Sequence, residues 1–187
     1  MNLFKMILLA GAVVLPLSGV ARAADIDPAV PADDATLIGM YLRADAGWSM
    51  LDFAGGSNDK SYTAGIGAGY QFNDYFRTDI TGEWTGKYDI APGAKISTSA
   101  IIGNAYLDLA NDTMFTPYVG LGAGYGWVNG SGTAIDDSGL VLGAAAGVAV
   151  DLTNNLAVDV GYKVRDFSVA GSNPIEHAVT AGLRFKF

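Results

Sequence analysis

The chain has 187 residues, half of them hydrophobic, with 11 Lys and Arg against 19 Asp and Glu, one His and no Cys. A net charge of −8 excludes nucleic acid as a natural partner, because polyanion binding runs on cations. The missing Cys excludes disulfides, thiol nucleophiles and thiolate metal sites, and a lone His leaves little for transition-metal ligation.

Met1 to Ala23 has the three parts of a secretory signal: Lys5, an apolar stretch from Met6 to Leu17, and a small-residue cleavage pattern at Ala21-Arg22-Ala23. The stretch is too short for a spanning helix and breaks at Pro16. The mature chain is expected to begin at Ala24, with nine basic residues against 19 acidic ones. Residues 24–39 form an acidic Ala/Pro linker without periodicity. From residue 40 to 187 a single domain is expected, and it must hide much apolar surface without a long hydrophobic helix.

From Tyr41 onward a period of two dominates, in eight segments of about the 9–11 residues that a tilted membrane strand needs. In the first, Leu42, Ala44, Ala46, Trp48 and Met50 oppose Arg43, Asp45, Gly47 and Ser49. The second sets Tyr62, Ala64, Ile66, Ala68, Tyr70 and Phe72 against Thr63, Gly65, Gly67, Gly69 and Gln71. After the turn at Asn73-Asp74, Phe76, Thr78, Ile80, Gly82 and Trp84 oppose Arg77, Asp79, Thr81, Glu83 and Thr85. The fourth, about 96–109, alternates clearly only in its second half, with Ile101, Ala105, Leu107 and Leu109 opposite Ile102, Asn104, Tyr106 and Asp108. In the fifth, Val119, Leu121, Ala123, Tyr125 and Trp127 alternate with Tyr118 and four glycines. The sixth, 140–152, is apolar on both faces, and its glycines and neighbours favour a strand over a buried helix. The seventh puts Leu156, Val158, Val160, Tyr162 and Val164 against Asp159, Lys163 and Arg165; the eighth puts His177, Val179, Leu183, Phe185 and Phe187 against Thr180, Arg184 and Lys186.

Short connectors at 73–74, 110–116 and 153–155 alternate with longer polar ones at about 51–60, 86–95, 129–138 and 167–175. That asymmetry is the transmembrane β-barrel pattern. Alternation alone also fits a lipocalin-like soluble barrel with the apolar face inward. Three features favour the inverted arrangement. Aromatic residues sit toward the ends of the apolar face, where interfacial girdles belong. The polar face carries both signs, with Arg43, Arg77, Lys163, Arg165 and Arg184 able to pair with Asp45, Asp79, Glu83 and Asp159 inside a narrow lumen. The same face is rich in Gly, which gives long neighbours room and holds a solvent-facing strand poorly.

The terminal "GLRFKF" resembles the C-terminal strand signal of Gram-negative outer-membrane barrels, which implies that Phe185 and Phe187 are read by the barrel assembly machinery and then face lipid. "GYQFNDYFRTDITGEW", "NAYLDL" and "TPYVGLGAGYGW" resemble the strand and turn phrases of the small opacity and porin-like outer-membrane proteins of alphaproteobacteria, related to the eight-stranded transmembrane domain of OmpA. The resemblance covers about residues 38–187. It implies an all-β, eight-stranded antiparallel up-and-down barrel in the outer membrane, with both termini periplasmic and lipid and lipopolysaccharide as surroundings. Cell-wall anchoring would fall to the acidic linker, since no peptidoglycan-binding domain is read after the last strand.

No motif carries chemistry. "GIGAG" at 65–69 and "GLGAG" at 120–124 lie within alternating strands with no helix after them, so they cradle no phosphate. His177 beside Glu176, with Ser168 and Ser172 near in sequence, lacks the His-x-Ser spacing of barrel deacylases because position 179 is Val. Asp52, Asp59, Asp136 and Asp137 have no calcium-loop spacing. The sequence reads as a non-enzymatic, cofactor-free envelope protein that displays surface loops. The alternatives are a narrow porin and a surface binder of haem or another extracellular ligand.

Overall fold

The computed structural model describes residues 38–52, 59–111, 113–132, 136–168 and 174–187. The signal segment, the linker up to residue 37 and Ser172 lie outside them. The described strands are β1 (Gly39–Asp52), β2 (Asp59–Gln71), β3 (Phe76–Thr85), β4 (Tyr88–Ala91), β5 (Ala94–Asp108), β6 (Phe115–Ser131), β7 (Asp136–Asp151), β8 (Leu156–Ser168) and β9 (Ile175–Lys186). All pair antiparallel, in the order β3-β2-β1-β9-β8-β7-β6-β5, and β3 pairs with β5 to close the ring. The fold is an eight-stranded barrel: β4 continues the line of β3 past a break at Gly86 and Lys87 and pairs only with the start of β5.

Gly86 still follows the β2–β3 register, donating its amide to the Tyr62 carbonyl at 2.9 Å, and an added Cβ there would collide with the Ser61 hydroxyl and the Tyr62 ring. Closure leaves no sheet edge, which is what a backbone in hydrocarbon requires.

One end of the barrel, the turn end, carries the connections 72–75, 109–114 and 152–155 together with the last residue. Asn73 caps the first by accepting the amides of Tyr75 and Phe76 at 2.9 and 2.8 Å. The chain terminus is tied into this end: the amide of Lys186 donates to Asn155 at 2.7 Å and that of Phe187 to Met40 at 3.1 Å.

At the other end, the loop end, the structure corrects the expected long loops. Much of 86–95 is the β4–β5 hairpin, and the β6–β7 ladder runs on to the Asn129–Asp136 pair. Gly93 (φ 79°) and Gly132 (φ 72°) supply the left-handed backbone at the two tips. Hydrophobic alternation fades toward the tips, while backbone pairing continues.

The two faces divide as their chemistry requires. Trp48 is 76% exposed and Leu121 62%, whereas Arg77 is 1% and Arg184 3% exposed. Polar groups point inward and large apolar ones outward, so the lipocalin-like arrangement is overturned. The outward aromatics form two belts. At the turn end Tyr70 meets Phe72 edge-on and Phe72 meets Phe76 at a tilt, with centroids 4.9 and 5.5 Å apart, and Phe185 meets Phe187 edge-on at 5.2 Å. Trp48, Tyr62, Trp84, Tyr125 and Trp127 ring the loop end, where Trp48 pairs across strands with Tyr62. From Tyr70 to Tyr62 is about 26 Å along the strand, or roughly 20 Å of height at a tilt of about 40°. That height suits an outer-membrane apolar band.

Candidate functional site in the barrel lumen

Because β1, β3, β8 and β9 each turn alternate residues inward, every residue of the expected charge network faces the lumen and is buried: Arg43, Asp45, Arg77, Asp79, Glu83, Asp159, Lys163, Arg165 and Arg184. Seven charges link into one chain of alternating sign. Asp79 meets Arg43 at 3.2 Å, Arg43 meets Asp45 at 3.0 Å, and Asp45 meets Lys163 at 2.7 Å. Lys163 bridges on to Glu83 at 2.9 Å; Glu83 also pairs with Arg165, which reaches Glu176 at 3.5 Å. Opposite charges at these separations offset the desolvation that each would suffer alone. Neutral donors complete the carboxylates. Asp79 accepts from Tyr41 at 3.1 Å and Asn104 at 2.8 Å, and Glu176 accepts from the Thr98 hydroxyl at 3.0 Å.

A second group fills the turn end. Arg77 donates from Nε to both oxygens of Asp108, at 3.0 and 2.9 Å, and its guanidinium lies 4.1 Å from the Tyr106 ring centre and 4.8 Å from that of Tyr118. Arg184 and Asp159 are a looser pair at 3.6 Å, and Lys186 reaches Asp151 at 3.2 Å. The lumen glycines give the rings their room. A Cβ at Gly69 would strike Tyr41, one at Gly120 would strike Tyr106, and those at Gly147 and Gly161 would meet the Tyr118 hydroxyl.

Toward the loop end the lumen changes character. Leu51, Tyr88, Ile96, Ala100, Ile102, Val128, Val141 and Phe167 form one buried apolar cluster from β1, β4, β5, β6, β7 and β8. Gly126 opposes it closely enough that a Cβ would meet Val141 and Phe167. Tyr88 and Ser49 share a hydrogen bond beneath the cluster. The sequence reading did not assemble this seal. Its members are apolar residues at inward-phase positions, and the signal was the weak alternation in the first half of the fourth segment, which holds Ile96, Ala100 and Ile102, and in the sixth, which holds Val141.

Glu176 was also missed as a lumen group, because its neighbour His177 drew the reading to the surface. The two point to opposite faces of the wall. Glu176 is 2% exposed inside, while His177 lies outside, 2.6 Å from the Tyr162 hydroxyl through Nδ1 and 3.4 Å from Asp52 through Nε2. Position 179 is an outward Val, and the hydroxyl that meets the imidazole is the Tyr162 phenol rather than a serine. Phe185 and Phe187 are outward, 46% and 63% exposed. Among the described residues no cluster of His, Asp and Glu is arranged to hold a metal ion.

Comparison with known proteins gives the same architecture. A protein of Haemophilus influenzae is 31% identical, the match covering 79% of this chain and 88% of that one. A protein of Brucella abortus is 26% identical over 71% of this chain and 69% of its own length. The crystal structure of Neisserial surface protein A, at 25% identity, superposes with a TM-score of 0.71 over 80% of this chain and 97% of that one. The family model for the outer membrane protein beta-barrel domain matches residues 10–187. With its closed eight-stranded ring, inward charges and outward aromatic belts, the chain is a member of that outer-membrane β-barrel family.

Proposed function

We propose that this protein is a non-conducting barrel that supports the integrity of the outer membrane and displays its loop end at the cell surface, with both termini in the periplasm. The observation that carries the reading is the two-layer filling of the lumen. A solute path needs continuous polar space; here a linked charge chain occupies the middle and an apolar cluster lies across the loop end. An eight-stranded ring is about wide enough for its own side chains. This stands against the narrow porin. The aromatic belts suit a protein held by lipid on all sides.

The test is a deletion strain compared with its parent for sensitivity to detergent and leakage of periplasmic protein, alongside uptake of small polar solutes. A structural role predicts raised sensitivity and leakage with unchanged uptake, restored by the intact gene. Normal envelope resistance with a selective uptake defect would overturn the reading in favour of a porin.

A further inference from the structure

The lone imidazole of the chain stands on the outer wall, between side chains of its two neighbouring strands. Nδ1 of His177 is 2.6 Å from the Tyr162 hydroxyl of β8, the two rings stack with centroids 6.0 Å apart, and Nε2 is 3.4 Å from the Asp52 carboxylate of β1. Val179 pairs with both Trp48 and Tyr162, so Tyr162 sits at the height of the loop-end aromatic belt. This relay of carboxylate, imidazole and phenol therefore lies at the lipid boundary.

Chemistry sets the direction in which its proton can move. A carboxylate only accepts hydrogen bonds, so Asp52 favours the imidazole proton on Nε2 and leaves Nδ1 to accept the phenol O–H. A carboxylate in that place also stabilises the imidazolium that forms when Nδ1 takes the proton. We infer that Tyr162 is a redox-active residue, the site at which small neutral one-electron oxidants dissolved at the membrane boundary modify the barrel. The oxidant takes one electron from the phenol, the O–H bond breaks, and the proton passes to Nδ1 of His177. A neutral phenoxyl radical is left beside an imidazolium that Asp52 balances. With nitrogen dioxide as the oxidant, the electron yields nitrite. A second nitrogen dioxide then bonds to the ring carbon next to the C–O carbon, and the hydrogen of that carbon returns to the oxygen as a proton, giving 3-nitrotyrosine.

The other tyrosines lack one part of this arrangement. The Tyr125 hydroxyl meets Ser138 at 3.0 Å, which is no base, and those of Tyr62, Tyr70 and Tyr75 meet no acceptor among the described residues. Tyr41 donates to the Asp79 carboxylate at 3.1 Å but is sealed inside the lumen. Access alone would rank the set differently, since Tyr62 and Tyr75 are 63% and 61% exposed against 46% for Tyr162. Base and access therefore predict different first targets.

The experiment exposes the full-length barrel, in vesicles of saturated phosphatidylcholine, to dilute nitrogen dioxide and quantifies each nitrated tyrosine by tandem mass spectrometry after proteolysis. A positioned base speeds a proton-linked step by about a hundred-fold or more, so Tyr162 should be nitrated at least about ten-fold faster than Tyr62, Tyr75 or Tyr125. His177→Phe, with closure of the barrel verified by heat-modifiable mobility, should bring Tyr162 down to the level of Tyr125. Nitration that follows exposure, or a Tyr162 preference that survives His177→Phe, overturns the assignment. The comparison among tyrosines needs no variant, so it decides the question even if His177→Phe fails to fold. A non-conducting barrel whose exposed tyrosines are nitrated evenly would refute this site and leave the structural reading standing.

Discussion

The middle and the loop end of the lumen fill the same cylinder by opposite means. In the middle, Asp45, Lys163, Glu83 and Arg165 hold one another in a chain, and none of them can leave without stranding a neighbour. At the loop end, Leu51, Val141 and Phe167 fill space by contact alone. The difference teaches where specificity and tolerance reside. Charge pairs fix which strand faces which, and they fail sharply when one partner is lost. Apolar packing is forgiving of shape, and it fails in proportion to the volume removed.

The comparison can be broken hardest at its most connected member. Glu83→Leu should destabilise the barrel by about 3–5 kcal/mol, because Lys163 and Arg165 lose their shared anion inside the wall. Urea unfolding in lipid vesicles, followed by tryptophan fluorescence, reads it. Adding Lys163→Met, Arg165→Leu and Glu176→Gln to that variant should recover much of the loss, since Arg43 still holds Asp45 and no buried charge is then left without a partner. No recovery would mean that the chain stabilises the barrel by more than mutual neutralisation.

Val141→Ala in the seal should cost about 2 kcal/mol by the same assay, from lost burial and the cavity left behind. A cost as large as that of Glu83→Leu would erase the distinction between the two layers. Gly120→Ser sharpens the boundary between ring and glycine. Its Cβ would meet the Tyr106 ring beneath Arg77, and overpacking of this kind costs about 1–3 kcal/mol. A second change, Tyr106→Ala, should relieve the clash, and a double-mutant cycle measures the relief.

The smallest effect concerns the loop end outside the membrane. Hydrogen bonds from the Asp89 and Lys60 amides hold the Asp59 carboxyl below its ordinary value. A depressed folded value stabilises the fold above the unfolded value near 3.9, and that stability is lost as pH falls through the folded one. The wild type should therefore lose slightly more stability than Asp59→Asn as pH falls below about 4, read as a difference in urea midpoint. Parallel pH profiles would show that the Asp59 bonds do not fasten β2 to β4.

Much of this fold was legible in the sequence because a membrane barrel imposes one rule on every residue. The phase that puts Trp48 outward puts Arg43 and Asp45 inward, and the same phase follows through Asp79, Lys163 and Arg184. What alternation cannot give is the partner. That Lys163 of β8 meets Glu83 of β3 across the ring depends on the stagger of all the strands together. The seal was illegible for a related reason. Val141 and Phe167 look like lipid-facing residues in the wrong phase until closure brings them against Leu51 and Tyr88. Glu176 was hidden by its position at a loop boundary, where hydrophobic alternation ends before the strand does.

Current across a planar bilayer into which the purified full-length protein has been inserted tests the central claim most directly, since it asks whether the lumen is filled. With insertion verified by heat-modifiable mobility of the recovered protein, the account predicts a baseline indistinguishable from the bare bilayer over a range of voltage and salt. Regular conductance steps that scale with salt would contradict it, because ions would then be crossing both the charge chain and the apolar seal.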